Sequence, residues 1–163
     1  MMDPNPTALP ARPAGPPRRG ALWRCAVALL ILGGGAAAAA DDIREVVGQP
    51  LLALAQRHEL TTALRFNSGG HRSALAARLR DPGPPVALAE DRYVFGHACM
   101  PQGCGEGGAF LAYDTQEERM FLLMTGNGAV RLSVPPDPRA WPEALRPGLR
   151  DFVPALGEAM GRR

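Results

Sequence analysis

The sequence contains no lysine; its 18 basic residues are all arginine. With the excess of alanine and proline this fits a GC-rich coding sequence, and it carries no functional reading. There is no internal repeat, which excludes solenoid and propeller architectures. No run is long enough to span a bilayer. The most apolar stretch, Cys25 to Ala40, falls short of the roughly 20 residues a spanning helix needs, and glycines at 33, 34 and 35 weaken it further. Charge of one sign is also missing. The formal net charge is +2, and once the first 40 residues are set aside 14 arginines face 15 acidic residues. A near-neutral domain lacks the electrostatic footprint of a nucleic-acid binder. Catalytic signatures are absent too: no nucleophile elbow, no defensible Ser–His–Asp order, no motif-placed pair of carboxylates. Ser133 and Asp114 read as ordinary strand or turn residues.

What is present begins with the N-terminus. The stretch "MMDPNPTALPARPAGPPRRGALWR" is basic and proline-rich, and it leads into "CAVALLILGGGAAAAA". A basic segment, a short apolar segment and an A-x-A site ending at Ala40 are the parts of a secretory signal peptide. Residues 1–40 are therefore expected to be a cleaved signal peptide, and residues 41–163 a single domain with no stable membrane anchor after cleavage. An uncleaved anchor is the other reading of the same stretch. The Arg18-Arg19 pair raises twin-arginine export, although the residues after it match that signal poorly.

Cysteine is scarce as well: Cys25, Cys99 and Cys104. Cys25 leaves with the signal peptide, so an exported domain keeps an even pair, for which a disulfide is the default. Two thiols without nearby histidine pairs do not complete a tetrahedral metal site, so no metal and no cofactor are expected. Nor is C-x4-C the C-x-x-C of thiol oxidoreductases.

In "DDIREVVGQPLLALAQRHELTTALRF", Pro50 suits a first helical position, and Leu51, Leu54, Ala55 and His58 recur at helical spacing. After "NSGG" comes "HRSALAARLR", a short amphipathic helix stopped by "DPGPP". His58 and His71 read as helix-surface residues. The period then changes. "PVALAEDRYVFGHAC" gives two strands around Glu90-Asp91, and "GGAFLAYDTQEERMFLLMTGNGAVRLSV" gives three more, with "DTQEE" and "GNG" as turns. Phe110 and Ala112 alternate with Leu111 and Tyr113, as Phe121 and Leu123 do with Met120, Leu122 and Met124. Both faces are apolar, so each must be covered. The preceding helices can cover one. The C-terminal stretch, broken by Pro142, Pro147 and Pro154, can cover the other through Trp141, Leu145, Leu149 and Phe152. The expected class is α+β: an antiparallel meander of about five strands flanked by helices on both sides.

The segment "CMPQGC" joins the second strand to the third. Pro101 fixes one backbone angle and Gly103 permits an unusual one. A bridge across so short a loop contributes roughly 2 kcal/mol by chain entropy. Its larger effect is on shape, because a tip held open before contact loses less entropy on binding. That tip, Met100 to Gly103, is narrow and uncharged, which suits a concave cleft. A disulfide that only secures a sheet edge is the plainer alternative. His97, two positions before Cys99, could bring its imidazole to the loop base; a structural strand histidine is the preferred reading.

The cysteine pair with proline third in the hexapeptide, preceded by "YVFGHA" and followed by a glycine-rich lead into "AFLAYD", resembles the inhibitor of vertebrate lysozyme family. The likeness in layout runs from about Gln49 to Phe152. It implies a periplasmic protein with an antiparallel sheet flanked by helices, whose Cys-Lys-Pro-His-Asp-Cys loop plugs the active-site cleft of C-type lysozymes. Homodimers are known in that family, though nothing in this sequence marks a self-complementary surface. The loop departs from the family pattern. The histidine that hydrogen-bonds the catalytic carboxyls falls at Gln102, the acidic residue at Gly103 and the lysine at Met100. Gln102 still offers two N–H donors and one acceptor, but no charge.

Three functions follow. The first is an exported inhibitor of a muramidase, either a C-type lysozyme or a lytic transglycosylase. Pro101 and Gln102 would be its contact tip, Met100 and Gly103 their neighbours, and Cys99–Cys104 the scaffold. The second is a periplasmic binding or structural protein of the same fold that has lost inhibition. The third, an enzyme, has least support.

Overall fold

The structure, a computed structural model, describes residues 43–155. The expected signal peptide, residues 1–40, and with it Cys25, lies outside the described residues. Among the described residues helices precede the strands and one follows them, as expected: α1 (Leu51–Ala55), α2 (His58–Asn67), α3 (Arg72–Arg78), β1 (Ala87–Ala89), β2 (Tyr93–Cys99), β3 (Gly107–Asp114), β4 (Arg119–Gly126), β5 (Ala129–Val134) and α4 (Arg146–Phe152). Short 3-10 turns precede α3 and α4.

The helical pattern that ran through His58 is divided in two. α1 ends at Ala55 because Arg57 takes an extended conformation (φ −61°, ψ 141°), and His58 opens α2 instead of closing α1. Pro50 is the extended residue just before α1, one position earlier than expected. In the C-terminal stretch Pro147 does not interrupt a helix; it lies in the first turn of α4, where its missing N–H has no intrahelical partner to lose. The chain leaves α4 at Phe152, two residues before Pro154.

The five strands form one sheet in the order β1-β2-β3-β4-β5, every pair antiparallel. This is the meander expected from the sequence. β3 is central and buried along its whole length. Strand alternation sorts its side chains into two cores. Ala109, Leu111 and Tyr113, with Met120, Leu122 and Met124 of β4, face the core built from α1, α2 and α3 through Leu51, Leu54, Leu60 and Leu75. Phe110 and Ala112, with Phe121 and Leu123, face Trp141, Leu145, Leu149 and Phe152. Each fully buried Phe or Leu contributes about 1.5–3 kcal/mol over an exposed one, so losing either cover would leave an untenable apolar face.

At one end of the sheet a polar cluster fixes the turns. The buried Asp114 carboxylate accepts from Arg92 Nε (2.7 Å) and Nη2 (2.6 Å), and from the backbone N–H groups of Gln116 (3.0 Å) and Glu117 (3.2 Å). Burial opposes charge on Asp114, but Arg92 and the two backbone donors outweigh it and hold the carboxyl below its ordinary range. The loop of interest lies at the opposite end, where β2 ends and β3 begins.

Candidate functional site

β2 closes at Cys99, whose register partner is Gly108 of β3. The intervening residues leave the sheet and return, and a Cys99–Cys104 disulfide ties them with Cα atoms 4.6 Å apart. Inside the ring Gly103 N–H donates to Met100 O (2.9 Å), closing a turn, and Gly107 N–H reaches back to Gly103 O (3.2 Å). Met100 N–H pairs with Gly107 O (2.8 Å). Gly103 has φ +112° with open space where a Cβ would stand. Backbone conformation, not crowding, is what calls for glycine there.

The loop has supports beyond its own disulfide. Thr125, buried near the end of β4, donates its hydroxyl to the Cys104 carbonyl, and the Gly108 carbonyl lies 3.5 Å away. The β4–β5 turn reaches the returning limb: Asn127 N–H donates to Glu106 O (3.1 Å) and Gly128 N–H to Gly105 O (3.0 Å). From the other edge Pro82 O accepts from Cys99 N–H (2.9 Å). Gly83 follows so close to the His97 carbonyl that a Cβ there would collide with backbone. None of these five contacts is expected from the sequence. Their traces in the sequence are a lone hydroxyl at the end of "MFLLMT", the glycine in "DPGPP" and the "GNG" turn, none of which says what it touches.

The loop residues divide by environment. Pro101, Gln102 and Gly103 are exposed, whereas Met100, Cys99 and Cys104 are partly buried. Met100 folds its thioether over Gly107 beside Arg78, so it belongs to the loop's flank. Among the described residues the Gln102 amide has no hydrogen-bond partner, which leaves its two donors and one acceptor available. The tip is a proline, a glutamine and a glycine on a pinned base.

His97 stands at that base. Tyr93, Phe95, His97 and Cys99 alternate onto one face of β2, the side covered by α4. The imidazole packs on the Phe152 ring at 5.6 Å between centroids. A ring nitrogen and both cysteine sulfurs lie within 4.8 Å of one another. Burial lowers the His97 pKa, with nearby Asp151 pulling the other way. Both cysteines pack against the core that contains Phe152. The preferred reading of His97 as a structural strand residue is thus incomplete: it is packed as one, and it also adjoins the disulfide. His58 and His71 lie on the helical side, at the start of α2 and in the turn before α3.

Arranged this way the site can offer shape and neutral hydrogen bonds to a partner. It has no activated nucleophile, since both sulfurs are spent in the bridge. A family model described as "Inhibitor of vertebrate lysozyme (Ivy)" matches residues 59–155, which include the whole sheet, the loop and α4. No curated protein and no solved structure gives a match.

Proposed function

The chain belongs to the inhibitor of vertebrate lysozyme family, and from that premise we propose that it is exported to the periplasm and blocks a cell-wall muramidase. The loop 99–104 enters the active-site cleft, with Pro101 and Gln102 leading. Family members are inhibitors, not enzymes, and this chain acts by occupying a site without chemistry of its own. The observation that carries the reading is the contrast within the loop: an exposed tip of Pro101, Gln102 and Gly103 on a base tied by the disulfide and by Thr125. Preorganisation of this kind lowers the ordering cost of association. A neutral tip also avoids the desolvation penalty of carrying a charge into a cleft.

Two targets suit that tip, a C-type lysozyme and a lytic transglycosylase, because both hold carboxyl groups in a concave groove. Gln102 can donate to such a carboxyl with its amide N–H groups. Its lack of charge also supports a second reading, a periplasmic binding protein that keeps the fold and has lost inhibition.

Cell-wall clearing by each enzyme, followed with and without the purified exported protein, separates these. Slowed clearing by either enzyme is the expected result and names the target. Undiminished clearing by both enzymes at high protein excess removes the inhibitor reading and leaves the second.

A further inference from the structure

We propose that, in its thiol form, the loop base is a binding site for one thiophilic d10 metal ion of the Zn2+ class, held by His97, Cys99 and Cys104. The strand supplies the first two ligands. His97 and Cys99 are two residues apart on β2, so their side chains leave the same face. The loop then returns Cys104 to that face. The two sulfurs are bonded to each other in the closed loop, and a His97 ring nitrogen lies within 4.8 Å of both. In a tetrahedral zinc shell, with Zn–S near 2.3 Å and Zn–N near 2.0 Å, ligand atoms sit about 3.5–3.8 Å apart. Once the bridge is open, the sulfurs must part from bonded contact, about 2.0 Å, to that separation, a shift of about an ångström for each side chain.

The donor set is chemically apt: one imidazole and two thiolates, with the fourth position left to water. The surroundings favour it too. The Phe152 ring packs against the imidazole in a tilted arrangement, 5.6 Å between centroids. The sulfurs rest on the apolar core beside it, where charge-balanced binding of a dication by two thiolates is strengthened by the reduced dielectric.

Metal and disulfide compete for the same two sulfurs. Opening the bridge takes two electrons from a dithiol reductant and two protons, giving two thiols. Metal binding then releases those two protons as the thiolates coordinate. Reoxidation by a disulfide-bearing oxidant removes two electrons, forms the S–S bond and expels the ion. The thiol form also exists in every newly made chain before the bridge first closes. An ion captured then delays closure of the loop. This inference does not depend on what the closed loop binds.

The test uses the full chain carrying Cys25→Ser, so that only the two loop sulfurs remain, reduced with a phosphine. Competition with a chromophoric chelator reads Zn2+ binding, and Co2+ reports thiolate coordination through its charge-transfer absorption. We expect one ion per reduced chain, and no binding to the disulfide form. His97→Phe keeps a ring against Phe152 but has no ligand nitrogen, and it should weaken binding at least about tenfold. Equal binding by the disulfide form, or by a folded H97F chain, overturns the proposal. Should H97F not fold, the ring-proton resonances of His97 in the unaltered reduced chain decide: they shift on zinc addition if the site is real, and an unmoved ring overturns it.

Discussion

Gln102 is the residue on which the strength of any inhibition turns. Its side chain is exposed on the loop tip and has no hydrogen-bond partner among the described residues, so a substitution there changes the contact without disturbing the scaffold. A neutral hydrogen bond nets about 0.5–1.5 kcal/mol and one to a charged group about 1.5–3 kcal/mol. Replacing Gln102 with the histidine of the family loop turns a neutral donor into a cationic one facing the carboxyl, and should strengthen inhibition of C-type lysozyme by roughly 1 kcal/mol, or about fivefold. The gain should grow as pH falls below about 6.5, where an exposed imidazole takes up its proton. Inhibition constants for Q102H and the parent across that range check it, and a flat ratio removes charge from the account. Thr125 makes the complementary case, a buried residue that acts on the tip through Cys104. Thr125→Val keeps the shape and deletes the hydroxyl; Thr125→Ser keeps the hydroxyl. Valine should speed amide exchange at Gly103 and Gly107 several-fold, and serine should leave it near the parent rate. Equal exchange in all three proteins would deny Thr125 its positioning role.

At the scale of elements, the strands were legible and the supports of the loop were not. Period-2 alternation through "AFLAYD" and "MFLLMT" gives β3 and β4 directly, because a strand buried on both faces must be apolar at every position. The same alternation calls for a cover on each face and offers Trp141, Leu145, Leu149 and Phe152 for one of them; that they cover the face of Phe110 and Phe121 is a choice only the packing makes. The helical side was less well read. Spacing alone joins Leu51, Leu54, Ala55 and His58, but spacing says nothing about one extended residue, and Arg57 is enough to start a new helix. Pro147 has the sequence mark of a helix breaker, but in a first helical turn proline costs nothing. The loop itself was visible in its cysteines, proline and glycine. Its bracing by Pro82, Gly83, Thr125 and the Asn127-Gly128 turn was not, because apart from the Thr125 hydroxyl those contacts are made by backbone groups, and all of them join residues distant in sequence. Backbone donors and acceptors are the same for nearly every residue, so a sequence does not record where they point.

The whole molecule joins two ends of a sheet with different tasks. The end at Asp114 and Arg92 is a closed polar lock. The end at Cys99 and Cys104 presents the only disulfide among the described residues and an exposed tip. Between them lie two cores that fix the pitch of β2 and β3, and hence the base on which the tip stands. In the proposed complex the fold holds the loop, the disulfide stiffens it, and the target's cleft does the discriminating. Loss of the bridge would free the unbound loop to sample many shapes. The fold would lose roughly 2 kcal/mol from a ring of this size, a modest fraction of a typical stability of 5–15 kcal/mol.

The most direct measurement compares the exported protein with a Cys99→Ser, Cys104→Ser double variant, recording inhibition of cell-wall clearing by C-type lysozyme and by a lytic transglycosylase alongside the unfolding midpoint. The account predicts that the double variant remains folded and loses inhibition by at least tenfold against whichever enzyme the parent blocks. A folded double variant that inhibits as strongly as the parent would contradict it.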